Sequence, residues 1–140
     1  MAKNLSVGDS YELKKTITDN DVLMFAEVTG DKNPLHLDNE YAKGTIFGER
    51  IAHGMISAGV ISGVIGMYFP GPGTTYLSQD IRFLKPVKIG DTVTVELEIN
   101  EIEAKSKFDV AKIRTVCRNQ HNEIVVDGTA TVIPPAEKTA

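Results

Sequence analysis

The chain has 140 residues and a mass of 15.2 kDa, with 41% hydrophobic and 24% charged residues. This is the composition of one globular domain, neither disordered nor fibrous, and long enough to bury most of its apolar surface without disulfide staples. Fifteen Lys and Arg against nineteen Asp and Glu give a formal charge of -4 and a pI near 5.3, so there is no uniform positive field and a dedicated nucleic-acid binder is excluded.

The first residues, MAKNLSVGDSYELKK, contain no apolar core of secretion-signal length, and the single Cys117 cannot close an intrachain disulfide. The expected location is therefore the cytoplasm. Residues 6–17 open with a Gly8-Asp9 turn and then alternate Tyr11, Leu13 and Lys15 against Glu12 and Lys14, which predicts a first strand. Thr18, with Asp21 three residues on, reads as a helix start; Val22, Leu23, Phe25 and Ala26 supply an apolar side, and Gly30 stops the helix. Asn33-Pro34 then forces a turn, because Pro34 fixes its own φ and biases Asn33 out of the helical region.

Residues 54–69, GMISAGVISGVIGMYF, carry no charge, yet sixteen residues without basic flanks fall short of the ~20 that a bilayer core requires. A helix here is apolar on every side and so should be wrapped by protein all round. Gly54, Gly59, Gly63 and Gly66 weaken it by roughly 1 kcal/mol each relative to Ala, which points to close approach of a neighbouring backbone. Residues 75–84, 92–102, 107–118 and 123–133 read as four strands, clearest where Val93, Val95, Leu97 and Ile99 alternate with Thr94, Glu96 and Glu98. Pro86, Gly90-Asp91 and residues 119–122 mark turns, and strands joined by such short turns form an antiparallel sheet. Residues 134–140 read as a polar tail.

One flat sheet face cannot cover a helix that has no polar flank. The expected fold is therefore α+β, a curved antiparallel sheet wrapped around a long central apolar helix, with a second subunit closing the remainder as a homodimer.

The densest set of reactive residue types is FAEVTGDKNPLHLDNEYA, residues 25–42. Asp31 and His36 lie five residues apart across the Asn33-Pro34 turn, which can bring carboxylate and imidazole together to hold a water and move protons near neutral pH. On spacing alone the commoner outcome is plainer: Asp31 caps a turn and His36 bonds a backbone carbonyl. A metal site of Asp31, Asn33, His36 and Asp38 is weaker still, since the loop lacks a calcium-site glycine and terminal glutamate, and no second histidine stands at zinc-enzyme spacing. No G-x-S-x-G elbow surrounds Ser57 or Ser62, Gly71-Pro72-Gly73 is not a dinucleotide loop, and Lys43-Gly44-Thr45 is in the wrong order for a phosphate loop. Cys117 reads as a core residue and His121 as a solvated turn residue.

Phe25, Val28-Thr29-Gly30-Asp31, Asn33-Pro34-Leu35-His36 and Ala42 fit the hydratase 2 signature at every defined position. With Ile51-Ala52-His53-Gly54-Met55, Tyr76-Leu77-Ser78-Gln79 and Phe83-Leu84-Lys85-Pro86-Val87, the chain resembles the MaoC-like (R)-specific enoyl-CoA hydratases over residues 5–133. It is most similar to the short, single-domain members that supply (R)-3-hydroxyacyl-CoA for polyhydroxyalkanoate synthesis.

The resemblance implies one hot-dog domain over residues 1–140, acting as a homodimer on acyl-CoA with no cofactor and no metal. Asp31 and His36 would then hold the water that adds to a trans-2-enoyl thioester, with Asp31 as principal base. The Gly54 amide, at the positive end of the apolar helix, would stabilise the enolate oxygen. Asn33 would brace the loop or the water, or serve only as a turn residue. His53 would aid oxyanion binding or loop placement, or be simply a buried histidine bonded to backbone. Ser62 and Ile65 would line the acyl tunnel and set chain length, or be ordinary helix packing. Two other readings remain open: a hot-dog acyl-CoA thioesterase, and a non-catalytic acyl-thioester binding subunit.

Overall fold

The structure is a computed structural model and describes residues 4–136. It is α+β: β1 (Ser10–Thr16), α1 (Asp19–Thr29), α2 (Pro34–Leu37), α3 (Asn39–Lys43), α4 (Gly54–Met67), then β2 (Thr75–Phe83), β3 (Thr92–Ala104), β4 (Asp109–Arg118) and β5 (Ile124–Ile133). All strand pairs are antiparallel, in the order β1-β3-β4-β5-β2. Only β3, β4 and β5 follow one another as neighbours. β2 crosses over to pair with β5 at the far edge, so the expectation of sequential neighbours fails between β2 and β3.

The strand period of two decides the faces. Val93, Val95, Leu97 and Ile99 of β3 and Ala111, Ile113, Thr115 and Cys117 of β4 all turn inward and are buried. Against them lie Ile56, Ile61, Val64 and Ile65 of α4, and together these residues form one core. Cys117 is part of it. The sheet curls because three strands each carry one extra residue: Leu77 in β2, Asn100 in β3 and Val125 in β5 interrupt the register. Such bulges bend a strand and increase its twist. Gly128 of β5 sits where β2 presses closest. A Cβ there would lie 2.1 Å from the Asp80 carbonyl oxygen, so only glycine fits.

Helix α4 departs from the expectation of protein on every side. Met55, Gly59, Ser62, Gly63, Gly66 and Met67 are exposed within this chain, and a Cβ at Gly59, Gly63 or Gly66 would meet no atom within 4 Å among the described residues. Within one chain, then, the sheet covers one side of the helix and the small-residue side lies open. The beginning of the expected tail is not free: Pro134 and Pro135 are half-buried, and Pro135 packs beside Gly73. Residues 137–140 lie outside the described residues. Among the described residues, no helix is long and apolar enough to cross a membrane.

Candidate active site

Helix α1 delivers the first functional residue. Thr18 caps it in a reciprocal box, its side chain accepting from the Asp21 amide at 3.1 Å while the Asp21 carboxylate accepts from the Thr18 amide at 2.9 Å. Gly30 ends it in the left-handed conformation at φ 76°, where a side chain would be strained. Asp31 follows at once, its amide donating to Thr29 Oγ1 at 3.1 Å.

The Asn33-Pro34 turn becomes the start of the short helix α2. Asn33 stays outside the helical region at φ -53° and ψ 124° and caps it, accepting from the Leu35 amide at 3.0 Å, and Pro34 takes the first helical position, where no amide is needed. His36 sits on the inner side of that single turn and is buried, with only 9% of its surface exposed. Its Nδ1 donates to the Ile51 carbonyl at 2.7 Å. A carbonyl can only accept, so Nδ1 carries the proton in the neutral ring and Nε2 is left as a bare lone pair. Two anchors hold this geometry. The 51–52 segment is pinned to the loop after β2 by an Ala52 amide bond to the Val87 carbonyl at 2.7 Å. Arg50 donates through Nε to the His36 carbonyl at 2.7 Å and through a terminal nitrogen to Asp19 at 2.6 Å.

Asp31, His36, His53 and Gly54 share the lining of a cavity of about 380 Å³, whose other walls include Phe47, Phe83, Leu84 and Val126. Asp31, His36 and His53 gather at one point, and apart from Lys85 the remaining lining is apolar, as expected of a small-molecule site. One ligating atom from each of Asp31, His36 and His53 lies within 4.8 Å of the other two. Three atoms so spaced have a common point no further than about 2.8 Å from each, within hydrogen-bond reach of one water. A zinc ion would need bonds of ~2.0–2.1 Å and lone pairs that converge. The His36 and His53 rings instead lie tilted against each other, with centroids 4.0 Å apart and planes 32° apart. The arrangement suits a shared water.

The plain readings of the loop are also present, and they coexist with the cluster. Asp31 Oδ1 accepts from the Asn33 amide at 3.3 Å, and His36 bonds a backbone carbonyl. Asn33 spends its side-chain oxygen on the helix cap and is exposed. Asp38, the fourth member of the weak metal set, caps α3 through the Glu40 and Tyr41 amides, so neither residue joins the cluster. The second histidine that sequence spacing does not supply comes from the fold: His53 is 22 residues from Asp31, yet its Nε2 lies 2.9 Å from the Asp31 carbonyl oxygen.

Gly54 opens α4, and among the described residues no side chain caps that helix start. The Phe83 ring packs directly on its α-carbon: a Cβ would lie 2.6 Å from Cδ1. An uncapped helix start that lines a cavity is suited to stabilise negative charge. Ser62 and Ile65 are elsewhere. Ser62 is on the open side of α4 and Ile65 is buried in the core at 1% exposure, so within the single chain neither lines the cavity. The residues missed in the sequence are Arg50 and the apolar walls. Phe83 and Leu84 enter the sequence reading only within the resemblance and Val126 only as a strand residue, until the strand order brings them together.

Residues 4–122 match the family described as MaoC like domain. The chain is 42% identical over 134 residues to an (R)-specific enoyl-CoA hydratase of Rhodospirillum rubrum, covering 96% of this chain and 91% of that protein. It is 44% identical over 138 residues to a 3-hydroxybutyryl-CoA dehydratase of Methylorubrum extorquens, covering 99% and 86%. Among solved structures, the (R)-hydratase from A. caviae involved in PHA biosynthesis superposes with a TM-score of 0.89 at 37% identity, over 96% of this chain and all of that one.

Proposed function

The chain belongs to the MaoC-like domain family, and from that membership we propose that it is an (R)-specific enoyl-CoA hydratase, a hydro-lyase on a hot-dog fold. The observation that carries the reading is the pairing of the Asp31 carboxylate with a His36 ring whose Nε2 is bare, at the polar point of an apolar cavity.

The chemistry follows from that pairing. A water between the two groups donates one hydrogen to the Asp31 carboxylate and the other to His36 Nε2, leaving an oxygen lone pair free to attack. As the oxygen bonds to C3 of a trans-2-enoyl thioester, Asp31 takes its proton, and the C2=C3 π electrons move toward the thioester carbonyl. The resulting oxyanion is held by the Gly54 amide at the start of α4, a type of contact worth ~3 kcal/mol of barrier. Asp31 then returns the proton to C2, so one water is added across the double bond from one face. His36 orients the water. No redox partner enters this balance. His53 lines the same wall, whereas Asn33 contributes through its cap on the catalytic loop.

CoA is the proposed carrier, supported by the names of the R. rubrum and M. extorquens relatives. The A. caviae likeness supports a role in supplying (R)-3-hydroxyacyl-CoA for polyhydroxyalkanoate synthesis. The proposed setting is the cytoplasm, with the whole chain serving as a single domain. A homodimer is favoured by the open side of α4 together with Met55, Met67, Leu77, Phe83 and Leu84, apolar residues each half or more exposed in one chain. In such a dimer Ser62, on that open side, would face the partner and could still border the acyl path, with Ile65 behind it.

Purified protein mixed with crotonyl-CoA should consume the conjugated double bond and form (R)-3-hydroxybutyryl-CoA without any added cofactor. Release of free CoA thiol would instead establish a thioesterase, and tight binding with an unchanged double bond would establish a binding subunit. Either result removes the assignment.

A further inference from the structure

His53 is 2% exposed and yet lines the cavity. Its Nε2 stands 2.9 Å from the Asp31 carbonyl oxygen, so this nitrogen must carry the proton. Its Nδ1 is buried and has no hydrogen-bond partner among the described residues, which is an acceptor's fate if the ring is neutral. The ring lies on His36, with centroids 4.0 Å apart, and leans against Phe25 at 4.7 Å. The next residue is Gly54, the first of α4. One imidazole thus touches the backbone of the base, the face of its partner and the start of the helix that carries the oxyanion donor.

We propose that His53 is a positioning residue of the hydration reaction, held as the Nε2–H tautomer while His36, packed against it, is held as the opposite Nδ1–H tautomer. The inference rests on the hydratase reading for its kinetic consequence, but the tautomer pair is a property of the protein alone. His36 is locked by the Ile51 carbonyl and His53 by the Asp31 carbonyl. Backbone carbonyls on opposite ring positions therefore dictate which nitrogen of each ring is bare. His36 presents Nε2 to the water. His53 spends its N–H on the loop, fixing the distance from Asp31 to Gly54 across which the substrate must fit. In reactions of this kind a misplacement of about 1 Å can cost ~100-fold in rate.

Two measurements test this. Nitrogen-15 NMR of the ligand-free wild-type protein near neutral pH should show a protonated Nε2 on His53 and a protonated Nδ1 on His36. The same tautomer on both rings, or two protonated rings, overturns the proposal whatever the protein's activity. In steady-state assays with crotonyl-CoA, His53→Phe keeps a ring for packing but loses the N–H, and should lower kcat by ~100-fold with KM changed less than about threefold. His53→Gln returns an N–H donor to the Asp31 carbonyl and should recover most of that loss. Wild-type kcat in His53→Phe, or an equal fall in both variants at matched thermal stability, contradicts the proposal. An inactive wild type sinks the hydratase reading instead and leaves the NMR result to decide the tautomers.

Discussion

Asp31 and His36 reach the cavity with unequal freedom, and their substitutions should differ accordingly. His36 is buried and tied at both its ring and its carbonyl, whereas Asp31 is exposed and anchored through its amide, its carbonyl and one carboxylate oxygen. Asp31→Asn removes the base without changing shape, and His36→Ala removes the orienting lone pair. Each should lower crotonyl-CoA turnover by at least ~100-fold, the scale of general acid and base catalysis. Asp31→Asn should leave the melting temperature nearly unchanged, which a thermal melt beside the kinetic assay will check. Gly54→Ala belongs to the same scale. Its Cβ would sit 2.6 Å from the Phe83 ring, so the ring must move, and a loss of ~1–3 kcal/mol in stability is expected by denaturant titration, together with a fall in kcat.

Buried Cys117 and half-buried Tyr76 both make stability fall at alkaline pH. Burial pushes the Cys117 thiol up to about 12 from an ordinary value of 9.0, with the Glu96 carboxylate adding to the effect, and it pushes the Tyr76 phenol up to about 12 from 10.0. Both hold their protons more tightly when folded, so the unfolded chain releases protons first as pH rises. Their stabilisation is complete below pH 9 and is lost on the way to about 12. For Cys117 the slope is at most about 1.4 kcal/mol per pH unit. Cys117→Ala should flatten the stability profile between pH 9 and 10, measured by urea unfolding at a series of pH values. A decline as steep as wild type in that interval would contradict it.

At the scale of elements, boundaries were legible wherever a local rule fixes them. Thr18, Asp21 and Gly30 bracket α1 as capping chemistry requires, and the alternation in β3 names its buried face before any contact is known. The sheet order was not legible. β2 pairs with β5 through backbone hydrogen bonds at the sheet edge, and nothing within residues 75–84 states which edge it takes. The bulges at Leu77, Asn100 and Val125 were hidden for the same reason, each being settled by a partner strand, whereas the short helices α2 and α3 rest on local caps at Asn33 and Asp38. Gly128→Ala tests the β2–β5 contact. Its Cβ would fall 2.1 Å from the Asp80 carbonyl oxygen, which is backbone and cannot swing aside. The variant should lose ~3 kcal/mol or more by denaturant titration, beyond the usual cost of one added methyl in a packed core, while Thr18→Ala should lose only ~1 kcal/mol through its cap.

At the scale of the whole molecule, sequence showed how much of α4 needs covering but not which side the sheet leaves open. The candidate site was half visible. Asp31 and His36 stand close in sequence, while His53 and Phe83 join them only through the fold. If the open side of α4 and the β2 edge meet a second copy, light scattering on the purified protein will give twice the 15.2 kDa chain mass. Gly63→Glu, which finds open space in one chain, should then shift that mass toward monomer. A monomeric wild type would contradict the dimer.

The central idea is that base and orienting group stand on one side of the substrate, delivered by one loop. Hydration of crotonyl-CoA in deuterium oxide, with the product's C2 and C3 configurations read by NMR, tests this most directly. The expected product is (R) at C3 and carries a single deuterium at C2 on the same face as the new oxygen. Deuterium on the opposite face, or an equal mixture of the two, would mean that the proton at C2 does not come from the Asp31 and His36 side.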